Sequence, residues 1–427
     1  MDTIYALASG QGKAGVAVLR ISGPGAEAAC RTLAGRVPPP RQMSLATLRD
    51  RNGETLDKAL VVMFPDRQSF TGEPVVELHL HGSPAVVSAV TREIADAGLA
   101  RLAEPGEFTR RALENGRLDL TEVEGLADLI QAETEAQRRQ AMRVMSGAFG
   151  RKLDDWRQAL VHAMALIAAS IDFADEELPE EILHSARAEI TRVAEGLRRE
   201  ISGIASAEKI RDGFRVAILG EPNAGKSTLL NALAGRDAAI TSDIAGTTRD
   251  VIEVRMDIAG LPVTLLDTAG LRESHDQIER IGVTRALHEA RTADIRLVLL
   301  VEGRAPEGLT PMPGDILLRA KADNGGVDGV SGKTGAGIDA LLARIAAILQ
   351  DKAAQAGSAS NDRHRIAMTK AASALDSALR ELDHGAERTE FLSEYLREAT
   401  LRLDELIGRV DVEDLLDDIF RNFCLGK

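Results

Sequence analysis

The sequence predicts a multidomain protein built from α/β and all-helical parts: an N-terminal α+β domain, a discontinuous helical domain, and an α/β domain inserted into the helical one. Three observations predict it. Short apolar runs alternate with amphipathic stretches and Gly or Pro over residues 1–117. Apolar residues then recur at three- and four-residue steps across residues 118–208 and again across 362–423. Between these helical stretches, about 210–350, apolar strand runs alternate with glycine-containing loops.

The elements follow in order. Gly15-Val16-Ala17-Val18-Leu19 and Leu60-Val61-Val62-Met63-Phe64 read as strands, and Pro84 to Ala97 as a helix. Val37-Pro38-Pro39-Pro40 is a short stiff connector. Trp156, Leu160, Ala163, Met164 and Ile167 form one helical stripe. Phe391, Leu392, Tyr395, Leu396, Ala399, Leu403, Leu406 and Ile407 form a second. Ala353 to Asn361 reads as a linker. The simplest organisation is an N-terminal domain (1–117), a helical domain in two parts (118–209 and 353–427) and an inserted domain (210–352). Insertion is tolerated because domain termini lie close together; three domains in a row remains the alternative.

The chain has 427 residues, enough for two to four domains, and is 44% hydrophobic and 28% charged. Aromatics make up only 3%, so the cores must be aliphatic. No apolar run approaches the roughly 20 residues that span a membrane, and the N-terminus lacks a basic-then-apolar signal, so no membrane association is expected. Two distant cysteines, Cys30 and Cys424, give no disulfide framework and fit a reducing cytoplasm. The net charge of −14 argues against broad electrostatic capture of nucleic acid, and leaves a local basic patch or a partner's surface for any such contact.

Residues 220–227 read GEPNAGKS, the G-x-x-x-x-G-K-[ST] phosphate loop, between an apolar strand (Val216 to Leu219) and an apolar helix (Thr228 to Leu233). The pattern arises by chance about once in 30,000 positions, and the strand–loop–helix context sets a plain glycine turn aside. Backbone N–H groups from Asn223, Ala224, Gly225 and the helix start through Thr228 suit phosphate oxygens. Lys226 reaches the β/γ oxygens and Ser227 holds Mg²⁺. Leu261 to Gly270 is an apolar strand ending in Asp267-Thr268-Ala269-Gly270, where the Asp can hold the Mg²⁺ water shell and the Gly N–H can sense a γ-phosphate. Between the two motifs lies Asp243-Ile244-Ala245-Gly246-Thr247-Thr248-Arg249-Asp250, in which the Thr248 hydroxyl can join Mg²⁺. This order is that of small GTPases. A later strand, Ile316 to Leu318, leads to Ala320-Lys321-Ala322-Asp323, a variant of the guanine motif N-K-x-D with Ala for Asn; Ser331-Gly332-Lys333 varies S-A-K with Gly for Ala. Asp323 favours GTP, while ATP or relaxed specificity stays open. Leu271 stands where Ras-like proteins place a water-orienting Gln, so another polar group must serve, and the 272–280 loop offers several.

Four segments resemble the MnmE (TrmE) family of tRNA-modifying GTPases: Gly15 to Gly23, Pro105-Gly106-Glu107-Phe108, the D-I-A-G-T-T-R-D loop, and the tail Phe423-Cys424-Leu425-Gly426-Lys427. The resemblance implies an N-terminal folate-binding and dimerisation domain, a discontinuous helical domain and an inserted Ras-like P-loop GTPase domain. It implies a K⁺-stimulated GTPase that works with an FAD-dependent MnmG (GidA)-type partner. Together they add a (carboxymethyl)aminomethyl group to C5 of the wobble uridine, U34, of certain tRNAs, using 5-formyl- or methylene-tetrahydrofolate. By residue matching, Arg20, Glu77, Arg117 (commonly Lys in the family) and Lys427 line the folate pocket. The same matching implies that Asn223 with the Ser242 to Thr247 loop, through Ser242, Ile244 and Thr247, forms a K⁺ site completed as two G domains meet, and that Glu279 orients the attacking water. Cys424 is either a nucleophile or a pocket-lining thiol. The alternating Glu77, His79 and His81 are also open to metal ligation. Two other functions compete: a ribosome-assembly GTPase, which usually carries a basic RNA-binding domain not visible at this charge, and a nucleotide-controlled dimerisation scaffold.

Overall fold

Period-two alternation makes the first sheet one-sided. In β2 (Val16–Ser22), Ala17, Leu19 and Ile21 turn to one face and Val18 and Arg20 to the other. The computed structural model describes residues 2–172, 180–235, 252–267, 291–306, 309–323, 328–383 and 389–410, with 420, 423 and 426. It divides into two compact units, Met1–Ala127 with Asp404–Lys427, and Asp128–Leu403.

In the first unit, β1 (Ile4–Leu7) and β2 are followed by α1 (Ala26–Ala34), β3 (Ser44–Arg49), β4 (Thr55–Phe64), β5 (Val75–His81), α2 (Pro84–Asp96), β6 (Arg101–Leu102), α3 (Glu107–Glu114) and the start of α4 (Leu120–Gln131). The strands form one sheet in the order β3-β4-β5-β2-β1-β6, antiparallel except for the β1–β6 edge. The inward row (Leu19, Ile21, Val61, Val76, Leu78, Leu80) meets Ala29, Leu33, Val90 and Ile94 of α1 and α2. Each fully buried aliphatic of this kind is worth about 1.5–3 kcal/mol, whereas a part-exposed ion pair is worth at most about 1. The sheet is therefore held from its core face, and charges on the other face can serve a ligand. Over β1 that other face is covered by Phe108 of α3, which joins Ile4, Ala6 and Ala103 in a small cluster. Buried Arg111 of α3 fixes this corner: it donates to Asp2 Oδ1 (2.7 Å), Glu107 Oε1 (2.9 Å) and Glu73 Oε2 (3.2 Å).

The second unit contains α5 (Glu135–Met145), α6 (Ala148–Asp172), α7 (Glu180–Asp212), β7 (Phe214–Leu219), α8 (Lys226–Ala234), β8 (Ile252–Ile258), β9 (Leu261–Asp267), β10 (Ile295–Leu300), β11 (Ile316–Arg319), α9 (Ile338–Ala353), α10 (Asp362–Asp383) and the start of α11 (Thr389–Ile407). Its sheet runs β11-β10-β7-β9-β8 and is parallel except for the β8 edge. Strands β7, β9 and β10 are near-continuous apolar runs because both faces are covered. Helices α7 and α10, which precede and follow this sheet in the chain, pack on each other. Thr134 and Gln137 make a capping box at the start of α5, and Ala136 N donates to Gly260 O of the β8–β9 turn (2.9 Å).

Two sequence expectations change. Phe391 is 61% exposed, because the buried stripe of α11 is centred on Leu392, Leu396, Ala399 and Leu403, and a residue one step back lies about 100° round the helix. The 353–361 stretch is a packed strap rather than a loose linker. Gln140 Nε2 donates to Gly357 O (2.8 Å), Ser358 N donates to Glu200 Oε2 (3.0 Å), and Ala359 and Ser360 are buried. Small residues give linker composition, but they also let backbone lie against helices.

Candidate nucleotide site and N-terminal site

Four buried residues at the end of β7 aim the chain into the phosphate loop, and α8 begins at Lys226. Asn223 (φ 62°) takes a left-handed conformation, and Ala224 N donates to Glu221 O (3.1 Å). Lys226 is buried, and its Nζ donates to the loop's own carbonyls, Gly220 O (2.9 Å) and Glu221 O (2.8 Å). Burial pulls the ammonium below the usual lysine range, and the Asp267 carboxylate opposes that pull. The β7–β9 register pairs Ile218 with Asp267, which sets the carboxylate beside the loop. Ser227 Oγ donates to Asp267 Oδ2 (2.7 Å), while Asp267 Oδ1 is buried without a partner among the described residues. A hydroxyl and an orphaned carboxylate oxygen side by side are a donor set suited to a hard divalent cation or its water shell.

A cavity of about 280 Å³ opens beside α8. It is lined by Ala224, Gly225, Thr228, Ala320, Lys321, Asp323, Ser331, Gly332 and Lys333, with Leu229, Leu299 and Val330. The two divergent sequence motifs therefore meet in one place. Ser331 Oγ donates to Asp323 Oδ1 (2.7 Å) and accepts from the N–H groups of Lys333 (3.2 Å) and Thr334 (3.1 Å). Gly332 is a matter of space. A Cβ there would lie 2.6 Å from Thr228 O, 2.7 Å from Thr228 C and 2.8 Å from Leu229 N, all backbone of the first turn of α8.

In the N-terminal sheet, Arg20 and Glu77 are cross-strand partners. Arg20 Nε donates to Glu77 Oε1 (3.0 Å), and its guanidinium lies 5.5 Å from the Phe70 ring centre and 5.7 Å from that of Phe108. Arg117 lies against Gly72, in the same turn as Phe70, and makes no hydrogen bond to either partner among the described residues. Three described residues near the C-terminus, Phe420, Phe423 and Gly426, pack within this unit. Phe420 and Phe423 join Val123 in an apolar cluster, the Arg110 guanidinium lies 5.2 Å from the Phe420 ring centre, and Gly426 (φ 91°) touches the end of β1. A Cβ at Gly426 would sit 2.0 Å from Leu7 O, and Leu7 adjoins Ala6, the strand partner of Arg20. The alternative of metal ligation by Glu77, His79 and His81 is not supported. His79 Nε2 lies 3.5 Å from Glu77 Oε2, but His81 Nδ1 is turned to Asp57 Oδ1 (2.7 Å), and no group of three or more His, Cys, Asp or Glu side chains that could hold a metal ion occurs among the described residues. Burial raises the Asp57 pKa, but the N–H donors of His81 and Lys58 more than offset it and hold the carboxyl below its usual range.

The chain matches the family description "GTP-binding protein TrmE N-terminus" over residues 3–117 and "MnmE helical domain" over residues 120–424. It is 54% identical over 430 residues to "tRNA modification GTPase MnmE" of Dinoroseobacter shibae, covering 100% of both chains. It is 55% identical over 429 residues to the protein of the same name from Cereibacter sphaeroides, again with 100% of both covered. The chain belongs to the MnmE (TrmE) family of tRNA modification GTPases. A solved structure of Era, in complex with MgGDPNP and nucleotides 1506–1542 of 16S ribosomal RNA, aligns at 28% identity and a TM-score of 0.26 over 32% of this chain and 56% of its own.

Among the family positions, the structure gathers Asn223 to Thr228 with Asp267 at the phosphate loop, Ala320, Lys321, Asp323 and Ser331 to Lys333 at the cavity, and Arg20 with Glu77 on the first sheet. Ser242 to Thr248, Thr268 to Gly270, Leu271, Glu279, Cys424 and Lys427 lie outside the described residues. Phe70 and Phe108, the aromatic bed under Arg20, were not singled out from the sequence as site residues. Phe108 sits in the quoted Pro105 to Phe108 segment, but a lone aromatic beside a helix start reads as core. No described helix is long and apolar enough to cross a membrane.

Proposed function

We propose that the chain is a K⁺-stimulated GTPase of the cytoplasm. With an FAD-dependent MnmG (GidA)-type partner, it adds a (carboxymethyl)aminomethyl group to C5 of the wobble uridine, U34, of certain tRNAs. The observation that carries the pocket half of this reading is the Arg20–Glu77 pair on the Phe70 and Phe108 bed, with Gly426 seated on Leu7, next to the strand partner of Arg20. Aromatic faces suit a pterin ring, a carboxylate suits the N–H groups of its edge, and a cation suits the glutamate tail of 5-formyl- or methylene-tetrahydrofolate. Arg117 and Lys427 complete the charge of this pocket. Cys424 lies close to the one-carbon donor as a lining thiol or nucleophile. The protein is a homodimer through the N-terminal domain, and its G domains meet in the nucleotide-bound state.

In the nucleotide unit, GTP phosphates lie on the N–H groups of residues 223–228, and Lys226 leaves the loop carbonyls for the β/γ oxygens. Ser227 and Thr248, with Asp267 beside them, would hold Mg²⁺, which would supply charge against the phosphates. Asn223, which is exposed on the loop, would hold K⁺ with Ser242, Ile244 and Thr247, and such a cation would supply the charge of an arginine finger. Gly270 senses the γ-phosphate, and Glu279 orients water where Leu271 cannot. Asp323, fixed by Ser331, selects guanine.

The test is nucleoside analysis of wobble uridines in tRNA from cells lacking the protein, with binding of 5-formyl-tetrahydrofolate measured on the purified chain. Loss of the C5 group and micromolar folate binding that Glu77→Gln abolishes are expected. Normal wobble uridines in the deletion strain would refute the reading.

A further inference from the structure

We propose that the base site reads only the six-membered ring of the purine, and that Ala320 leaves it indifferent to N7. The inference rests on the reading that the cavity takes guanine on Asp323. The Ser331 hydroxyl occupies one lone pair of Asp323 Oδ1 and fixes the carboxylate, leaving acceptors for the N1 and N2 hydrogens of guanine. Along the neighbouring loop, most N–H groups are already taken. Val330 N donates to Arg319 O (2.9 Å), Ser331 N to Ala336 O (3.0 Å), and Lys333 N and Thr334 N to Ser331 Oγ. The N–H of Gly332 makes no hydrogen bond among the described residues. It lies in the cavity wall and has no side chain to cover it, so it is the donor placed for O6.

No side chain serves the imidazole edge, and of the N–H groups of residues 320–322 only that of Lys321 makes no hydrogen bond among the described residues. With its Watson–Crick edge on Asp323, the base turns its other side toward the end of β11, where Ala320 stands. The Ala320 N–H is committed to Leu300 O (3.0 Å) and the Ala322 N–H to Val330 O (3.2 Å). Ala320 offers only a methyl, and Leu229, Leu299 and Val330 add only aliphatic surface. The side chains of Thr228, Lys321 and Lys333 are exposed and hold no fixed donor against this wall. Purine N7 is an acceptor. Here it meets no side-chain donor, so an analogue with carbon at that position should lose little on binding.

The experiment displaces a fluorescent GDP analogue from the full-length chain, in Mg²⁺, with GTP or 7-deaza-GTP. The two dissociation constants are expected to agree within about twofold. Ala320→Asn restores a side-chain donor, so GTP should tighten by about tenfold while 7-deaza-GTP does not move. A wild-type chain that binds 7-deaza-GTP tenfold more weakly than GTP overturns the proposal, as does Ala320→Asn tightening both nucleotides equally. Asp323→Asn separates this from the underlying reading, because it inverts the donor pattern and should exchange guanine preference for xanthine. If that exchange occurs while N7 is discriminated, only the present inference falls. If Asp323→Asn leaves GTP affinity unchanged, the cavity is not the base site.

Discussion

Replacing Gly332 with Ala restores the familiar S-A-K pattern, and the structure predicts that it damages the site. The added Cβ would meet three backbone atoms at 2.6, 2.7 and 2.8 Å, where contacts between such atoms ordinarily begin near 3.4 Å. Those atoms belong to the first turn of α8, which also carries Lys226 and Ser227, so the helix cannot yield without moving the phosphate site. The 331–333 loop must retreat instead. A retreat of several tenths of an ångström stretches the 2.7 Å bond from Ser331 to Asp323 and shifts Gly332 in the cavity wall. Overpacking of this kind costs about 1–3 kcal/mol. Since 1.4 kcal/mol is tenfold in binding, GDP and GTP affinity should fall by roughly five- to a hundredfold. Titration with a fluorescent guanine nucleotide measures the loss, and a thermal melt of the nucleotide-free chain reads the part that is plain destabilisation. A Gly332→Ala variant with unchanged affinity and unchanged Tm would refute the close approach and the role assigned to it.

GTP hydrolysis should run faster in K⁺ than in Na⁺, and Asn223→Ala should remove the difference; equal wild-type rates in both salts, at concentrations where G domains pair, would exclude the cation site. Glu279→Ala should lower kcat by roughly 10²-fold with little change in nucleotide affinity, measured by steady-state kinetics beside titration; loss of binding with turnover intact would make Glu279 structural. Deleting Cys424 to Lys427 should abolish tRNA modification and leave GTPase activity nearly whole, because Gly426 is seated on β1 of the first unit, and Cys424→Ser should be milder. Cys30 is fully buried, which pushes its thiol up to about 11. The unfolded chain gives up this proton first, so the thiol's contribution to stability is present below the free-thiol pKa of about 8.5 and is lost as pH rises toward 11. Native Cys30 should therefore resist iodoacetamide at pH 8, and Cys30→Ala should flatten the alkaline limb of the stability curve. Rapid alkylation of Cys30 in the folded chain would contradict this.

Much of the protein was written in local pattern. The strand–loop–helix around Gly220 to Ser227, the apolar strand ending at Asp267 and the alternation of β2 and β5 each depend on a few adjacent residues, because the chemistry of a phosphate loop or a one-sided strand is local. Family resemblance then supplied residue roles that composition could not.

Tertiary structure decided what depends on residues distant in the chain. The sequence shows Gly332 and Ala320 as departures from a motif; only the packing of the loop on the Thr228 carbonyl explains the glycine, and only the shared cavity joins the two. Phe70 and Phe108 become the bed of Arg20 because α3 and the 69–73 turn are brought over β1 and β2 by the buried Arg111 cluster. The 353–361 stretch has the composition of a linker, yet Gln140 and Glu200 hold it as a strap. Phe391 has the hydrophobicity of a core residue and lies on the wrong side of its helix. Hydrophobicity and spacing fix which elements form, since those forces act within a few residues. Which atoms meet across 50 to 200 residues depends on close packing, and close packing is settled only when all the elements are in place.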